Sequence, residues 1–444
     1  MSERNTLIAG PAPGPLSGRL RPPGDKSISH RAVMLGALAQ GDTEVTGFLA
    51  GEDNLATARI FGQLGVRIEW LNDERTHLRI HGAGLYGLQA PDGVLDAGNA
   101  GTCARLMLGI LAGQLFASTI TGDDSLRRRP MGRVVRPLRR MGARITGPED
   151  GNLLPLTVQG GRLAAIEHRS EVASAQVKSC ILLAGLYAEG DTIVREPRPS
   201  RDHTERMLPL FGQPVSRLED GVRLTPTGSL RAPDAVLAVP ADPSSAAFFA
   251  VAAALVPGSE VRLSGIGVNP RRDGWRRILS AMGGDLTLTG EARVGEEPVA
   301  DIVARNGELT GVVVDEADIP DAIDEFPVLF VAAALARGEF VLEGARELRV
   351  KESDRIAVMA EALNAVGAEV EEREDGVRIR GVPELAGGAE VDARGDHRIA
   401  MAMAVAAQRA GREIVIRNAA AIATSFPDFV PMARALGMNV RWAD

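Results

Sequence analysis

The sequence predicts an α/β protein built from six repeated units, three in each of two domains. Three observations lead there. First, a phrase in which an Ala/Leu-rich helix pattern ends near a glycine and passes into a short β-type run occurs six times, with Gly41, Gly113, Gly190, Gly258, Gly338 and Gly411 spaced 68 to 80 residues apart in a chain of 444. Second, an amphipathic helix pattern closed by glycine and followed by a strand keeps the same beat. Third, the last copy stops short at "MNVRWAD", while the N-terminus carries strand and helix patterns that no earlier unit owns.

The first phrase reads "LAQGDTEVTGF", "LAGQLFASTITG", "YAEGDTIVREP", "LVPGSEVRLSG", "LARGEFVLEG" and "QRAGREIVIRN". The second reads "RIFGQLGVRI", "PLRRMGARI", "RMLPLFGQPV", "RILSAMGGDL", "ALNAVGAEV" and "ARALGMNV". Glycine just past a helix adopts the left-handed conformation at no steric cost, so it marks the stop. Hairpin-like stretches such as "EVEEREDGVRIRG" follow most copies. Each unit therefore reads helix–strand–helix–strand–strand. "LSGRLRPPGDKSISHRA" supplies the strand missing from the sixth unit and the helix of the next, so the two chain ends complete one unit together. Turn and chain-stiffening residues place the crossings at Pro22, Pro23 and Gly24 and at Val239, Pro240, Ala241 and Asp242. The expected domains are residues 1–22 plus 242–444, containing both termini, and a continuous domain of 23–241.

With 45% hydrophobic and 24% charged residues the chain is an ordinary globular one, its core made of Ala, Leu, Val and Ile because aromatics are only 4%. A net charge of −8 argues against general affinity for nucleic acid or anionic membranes, and still permits a local basic cleft. Two cysteines, Cys103 and Cys180, form no disulfide framework and fit a reducing compartment. The N-terminal segment lacks the apolar run of a signal peptide. The longest apolar stretches, such as "FFAVAAALV", are about half a membrane span. A cytoplasmic location is expected.

Only three of the 50 basic residues are lysine: Lys26, Lys178 and Lys351. An ammonium is compact, rotatable and able to lose its proton, which a guanidinium is not, so these positions are candidates for work arginine cannot do. Charged residues collect after the glycine–strand phrases, in "SLRRRPMGR", "RPSRDHTER", "NPRRDGW" and "RELRVKESDR", each preceding or opening a helix. Helix N-termini attract anions through free N–H groups and the macrodipole, and arginine adds a planar fork suited to phosphate and carboxylate. Several such ends facing one cleft make a polyanion site in an acidic protein. Most of the eight arginines from Arg127 to Arg144 read as a solvated helix face, whereas Arg129, beside Pro130 at a helix start, is placed in the cleft.

Other motifs fail on context. "GAGLYG" (82–87) has the spacing of a dinucleotide fingerprint but leads into "LQAPDG" rather than a helix, and reads as a hairpin turn. "GDKS" lacks the glycines of a phosphate-binding loop. The six histidines show no paired metal spacing. Cys103 precedes an apolar helix and reads as a small buried residue.

Nine segments in order, "PGDKSISHRA", "DAGNAGTCARL", "RRRPMGRVV", "SAQVKS", "RDHTE", "IDEFP", "RVKESDR", "GDHRIAMA" and "ATSFPDF", resemble the 5-enolpyruvylshikimate-3-phosphate synthase (EPSP synthase, 3-phosphoshikimate 1-carboxyvinyltransferase) family over nearly the whole chain. The resemblance implies two inside-out α/β domains, each of three βαβαββ units around a six-helix bundle (the EPT/RTPC-like fold), with the active site in the inter-domain cleft. It implies transfer of the enolpyruvyl group of phosphoenolpyruvate to the 5-hydroxyl of shikimate 3-phosphate, with release of phosphate. This is a step of the shikimate pathway to chorismate and the aromatic amino acids, and a glyphosate target. It implies small-molecule substrates, no metal or organic cofactor, no nucleic-acid or membrane partner, and a monomer.

By motif position, the resemblance assigns Lys26, Ser27, Arg31, Ser174, Gln176, Arg201, Asp324 and Lys351 to shikimate 3-phosphate. It assigns Lys26, Asn99, Gly101, Arg129, Gln176, Arg355 and Arg398 to phosphoenolpyruvate. Lys26, Asp324 and Glu352 are the implied catalytic groups. Addition protonates the enol methylene and deprotonates the 5-hydroxyl, and elimination reverses both; Glu352 and Lys26 are candidates for the first transfer and Asp324 for the second. Water must be kept from the activated carbon, so hinge closure is expected. Lys178, one helical turn after Ser174, has either a supporting role at that phosphate or a structural one.

Some positions depart from the family's habits. Thr424 stands where many members have lysine, Ala175 where many have a second serine, and Arg271 where one branch has threonine. "RDHTE" and "SAQVK" resemble the branch with reduced glyphosate sensitivity, whereas Arg271 departs from it and Gly101 is the small residue typical of sensitive members, so sensitivity stays open. A related family, UDP-N-acetylglucosamine enolpyruvyl transferase, typically has a Lys-Asn pair and a loop cysteine. Here Ser27 follows Lys26, and "SLRRRPMGR" has no cysteine. An RNA-end-binding protein of related fold fits poorly with the acidic charge and the lack of an aromatic stacking platform.

Overall fold

Helices that are apolar all round must be covered on every side, and six among the described residues are buried along almost their whole length. They are Lys26–Leu38, Gly101–Ala112 and Ala175–Gly185, then Pro243–Leu255, Phe326–Ala334 and His397–Ala407. The structure, a computed structural model, describes residues 5–443. It divides into two units. One is Gly24–Val239 with Val294–Glu297; the other comprises the segment ending at Pro23, Pro240–Arg293 and the chain from Pro298 onward. Each contains three of these helices and its own hydrophobic core.

The helices are covered outside by sheets of one recurring pattern, which makes each unit an inside-out α/β body. In the second repeat, Leu95–Asp96 runs parallel to Ala117–Thr121, which pairs antiparallel with Leu156–Gln159, which pairs with Arg144–Thr146. With the intervening helices Gly101–Ala112 and Gly132–Arg140, this is βαβαββ. The third repeat repeats the order with Glu167–Arg169, Thr192–Arg195, Gly221–Leu224 and Val215–Leu218. In the first, Leu230–Arg231 and Leu237–Ala238 return from the far end of the segment to lie parallel to Ala39–Thr46.

The chain passes between units after Pro23 and after Val239, one and two residues from the expected crossings. A Cβ on Gly24 would lie 1.8 Å from the Gly47 carbonyl oxygen, so this crossing admits only glycine. The separate grouping of Val294–Glu297, at the turn between strands Asp285–Val294 and Glu297–Arg305, has no counterpart in the sequence pattern.

Two expectations are corrected. The strand in "LSGRL", Ser17–Leu20, does not complete the sixth unit; it pairs in parallel with Glu260–Gly267 of the fourth. The completing strand is Leu7–Ala9, antiparallel to both Ile414–Arg417 and Val440–Trp442. Leu7 and Ala9 are buried with Ile8 half-buried between them, whereas Ser17–Leu20 is largely exposed. An alternation only three residues long is too short to read as a period. "GAGLYG" is a turn but closes no hairpin: Gly84, at φ +78°, ends strand His77–Ala83, and the next strand joins a different sheet. Among the described residues no helix is long and apolar enough to cross a membrane, and no group of three His, Cys, Asp or Glu side chains is arranged to hold a metal ion.

Candidate active site

The buried helices emerge from the core mainly in their first turns. Lys26 and Ser27, Thr102, Ala175 and Gln176, and Arg398 are the residues of their helices that are not buried. An apolar helix thus delivers its polar residues to one end, where free backbone N–H groups favour anions.

In the unit of Gly24–Val239, Asp25 caps the first such helix by accepting from the Ile28 amide at 2.8 Å. The Lys26 ammonium is paired with the nearly buried Asp53, and Asn54 Nδ2 donates to the Lys26 carbonyl at 2.9 Å. Arg31 is buried and spans three elements. Its Nε donates to Thr204 Oγ1 and its Nη2 to Ser179 Oγ, both at 2.7 Å, and its Nη1 to the Ser27 carbonyl at 2.9 Å. Burial pulls this guanidinium down to about 10 against the pull of Glu205.

A second group lies around the start of Gly101–Ala112. Arg129 Nη2 donates to Asn99 Oδ1 at 2.7 Å, and Asn99 Nδ2 donates to Asp123 at 2.7 Å. Arg105 Nη1 donates to Gln176 Oε1 at 2.8 Å and its Nη2 to the Pro130 carbonyl at 3.1 Å, while Gln176 Nε2 donates to Thr102. Gly101 sits between these guanidinium groups: a Cβ there would stand 3.0 Å from Arg105 Nη1 and 3.3 Å from Arg129 Nη1.

In the other unit, Asp324 is the hub. Its Oδ1 accepts from Lys351 Nζ and from Arg355 Nη1, each at 3.2 Å, and its carbonyl accepts from Arg398 Nη1 at 2.9 Å. Arg355 Nη2 also donates to Glu352 Oε2 at 2.6 Å, and its Nε to Asp396 Oδ2 at 2.8 Å. Burial works against the charge on Arg355, yet Asp396, Glu352 and Asp324 together hold its pKa above the ordinary arginine value.

The predicted residues thus fall into networks within each unit. In one, Arg129 holds Asn99 while Arg105 holds Gln176, with Gly101 between the two guanidinium groups; the other joins Asp324, Lys351, Glu352, Arg355 and Arg398. Arg31 has its own network with Ser179 and Thr204. Ser174 caps its own helix through the Val177 amide, and half-buried Arg201 acts on Arg31 as a like charge. Lys178 is structural: its ammonium is buried between Glu196 and Glu205, each at 2.8 Å. Thr424 donates to the Ala421 carbonyl at 2.7 Å within its own turn and contributes no cation. Cys103 is buried, and burial pushes its thiol up to about 12.

The sequence reading did not single out Arg105, Asp53 and Asp396. A lone charge one turn into the apolar "GTCARLMLGILA" signals Arg105, and an aspartate before an apolar helix signals the Asp396 cap, which accepts from the Arg398 amide at 2.9 Å. No local signal marks Asp53, whose partner is brought to it by tertiary packing.

Comparison with known proteins places this arrangement. The family model described as EPSP synthase (3-phosphoshikimate 1-carboxyvinyltransferase) matches residues 11–432. The 3-phosphoshikimate 1-carboxyvinyltransferase of Methylococcus capsulatus is 55% identical over 435 residues, 98% of each chain. That of Alkalilimnicola ehrlichii is 54% identical over 432 residues, 97% of this chain and 96% of the relative. The solved EPSP synthase of Acinetobacter baumannii superposes with a TM-score of 0.87 at 46% identity, over 99% of this chain and all (100%) of that one. The enolpyruvyl transferase NikO of Streptomyces tendae, at 17% identity and a TM-score of 0.78 over 98% of each chain, shares the fold. The chain belongs to the EPSP synthase family.

Proposed function

We propose that this enzyme, a 3-phosphoshikimate 1-carboxyvinyltransferase of the shikimate pathway, uses the two networks described above on one pair of substrates. Phosphoenolpyruvate and shikimate 3-phosphate each carry a phosphate and a carboxylate. Arg129, Arg355 and Arg398, with Lys26, Asn99, Gly101 and Gln176, bind the first. Lys26, Ser27, Arg31, Ser174, Gln176, Arg201, Asp324 and Lys351 serve the second. The reading has residues of both units act on the same pair of substrates, with water excluded from the activated carbon. The enzyme acts in the cytoplasm as a monomer without macromolecular partners, a state that light scattering checks.

What supports the chemical assignment most directly is Asp324, whose carboxylate takes hydrogen bonds from Lys351 and Arg355 while Glu352 is bound to the same guanidinium. In the addition, the 5-hydroxyl oxygen bonds to C2 of phosphoenolpyruvate, Asp324 takes the hydroxyl proton, and the methylene carbon receives a proton from Glu352 or Lys26. In the elimination, that methyl carbon returns a proton to the group that gave it, the C2–C3 double bond re-forms, and the bond from C2 to the phosphate oxygen breaks as the phosphate leaves with the proton that Asp324 took. Arg355 is held by three carboxylates before any substrate arrives, so the reorganisation left for the reacting step is small.

The test is phosphate release. Release should require both substrates together. Release from phosphoenolpyruvate alone, or with UDP-N-acetylglucosamine in place of shikimate 3-phosphate, would overturn the assignment.

A further inference from the structure

Ser244 lies in the first turn of Pro243–Leu255, 4% exposed, and its hydroxyl has all its bonding capacity used. It donates to Glu325 Oε1 and accepts from Arg272 Nη2 at 2.8 Å and Arg398 Nη2 at 3.3 Å. One donor and two lone pairs are what a serine offers. Arg272 is itself buried, and its Nη2 also bonds Asp242 Oδ1 at 3.2 Å, the carboxylate that caps this helix by accepting from the Ser244 amide at 2.7 Å. Glu325, 1% exposed, stands 3.6 Å from Arg398 Nη1 and 3.9 Å from Arg272 Nη2.

We infer that Ser244, Arg272 and Glu325 form a positioning assembly for Arg398, and so tune affinity for phosphoenolpyruvate rather than for shikimate 3-phosphate. The inference rests on the reading of Arg398 as a phosphoenolpyruvate ligand. Arg398 is tied at one Nη to the Asp324 carbonyl and at the other to Ser244. With both ties, and Glu325 3.6 Å from Nη1, its planar fork has one orientation; without the Ser244 tie it has more freedom to turn. Ser244 and Arg272 are buried behind it, so their effect on substrate passes through the guanidinium. Arg272 belongs to "NPRRDGW", where the sequence placed an anion-binding arginine; its burial and partners give it a supporting place instead.

Steady-state kinetics of Ser244→Ala and Arg272→Lys test this, with thermal melting read first. Ser244→Ala should raise KM for phosphoenolpyruvate about tenfold, as expected for loss of one charge-assisted hydrogen bond. Its KM for shikimate 3-phosphate and its kcat should stay within about threefold of wild type. Arg272→Lys, which keeps the charge but loses the fork, should raise the same KM about threefold, and it carries the test alone if Ser244→Ala does not fold. A folded variant with an unchanged phosphoenolpyruvate KM, or with both KM values raised equally, overturns the inference. A wild type that releases no phosphate from the two substrates overturns the functional reading instead.

Discussion

Arg355 and Asp396 meet fork to fork, Nε to Oδ2 at 2.8 Å and Nη2 to Oδ1 at 3.3 Å, with 1% and 0% of their surfaces exposed. The same carboxylate caps the helix that carries Arg398 and accepts from Ser353 Oγ at 3.1 Å. One buried aspartate thus fixes two helix starts that each present an arginine. Breaking a buried ion pair by removing one partner costs about 3–5 kcal/mol. Asp396→Ala should therefore lower stability by about that amount in urea unfolding and reduce phosphate release at least tenfold. A loss below about 1 kcal/mol would show that water replaces the carboxylate.

Lys178 gives the opposite pattern. Its ammonium lies between Glu196 and Glu205, with side chains 5% and 6% exposed, and touches no predicted substrate ligand. Lys178→Met leaves two carboxylates buried together, which should cost about 3–5 kcal/mol. The surviving folded enzyme should keep its KM for shikimate 3-phosphate. Burial opposes the ammonium's charge, but Glu205 and then Glu196 raise its pKa above 10.5. The wild-type contribution is therefore complete below pH 10.5 and lost as pH rises through the higher folded value. A changed KM in a stable variant would return Lys178 to the substrate face.

The repeats were legible in part because four of their six glycines are ones the backbone needs: Gly41, Gly190, Gly258 and Gly338 have φ between +73° and +95°, whereas Gly113 is right-handed at φ −88°. Local sequence placed charged residues correctly where they open a helix, as with Lys26 and Arg398, but not Arg129, which the sequence put at a helix start and which lies in the loop between Asp124–Arg127 and Gly132–Arg140. What sequence could not show is pairing across long separations. Lys26 meets Asp53, Ser244 meets Glu325 and Arg398, and Leu7 meets Ile416, none of which local periodicity encodes. The hairpin tip Val294–Glu297 is a further case: Glu297 bonds buried His203 at 2.7 Å, 94 residues away.

Gly101 should tolerate a methyl group in the fold but not in function. It has an ordinary helical position, and the atoms nearest an added Cβ are the ends of flexible arginines at 3.0 and 3.3 Å. Those arginines give way by a few tenths of an ångström. Gly101→Ala should leave Tm within about 3 °C, because alanine is the better helix former at this buried helical position and the arginine ends beside it can shift. It should raise KM for phosphoenolpyruvate about tenfold, the size of one displaced charged contact. An unchanged KM would separate Arg105 and Arg129 from substrate binding.

On the outer sheet, His77 and Arg79 both donate to Glu44, at 2.8 and 3.0 Å. These bonds, His77's first, hold the Glu44 carboxyl below its ordinary 4.5. A depressed folded pKa contributes stability that is present above the unfolded value and lost as pH falls through the folded one. The melting temperature should thus decline below pH 4.5, and Glu44→Gln should flatten that limb while leaving Tm near pH 7 little changed, because the site is exposed. Parallel acid limbs for the two proteins would remove Glu44 from the account.

Lys26 is the sharpest test of why lysine persists in an arginine-rich chain. Its ammonium is 18% exposed and paired with Asp53, 6% exposed, beneath the first turn that Asp25 caps. A guanidinium is longer and planar, so it cannot occupy the ammonium's place beside Asp53 without turning its fork away from the carboxylate. It also holds its proton too tightly to deliver one to a carbon centre. If Lys26 both touches the reacting hydroxyl and shares the proton transfer, Lys26→Arg should lose about 100-fold or more in kcat, the usual worth of a positioned acid or base. Its melting temperature should fall by less than that of Lys26→Ala, because a positive charge stays near Asp53 even though its fork no longer matches the carboxylate. Asp53→Asn should lose less, about tenfold, because it loosens the ammonium without removing it. A Lys26→Arg enzyme that retains more than a tenth of wild-type kcat would reduce the lysine to a counter-ion, and proton delivery to the methylene carbon would then fall to Glu352 alone.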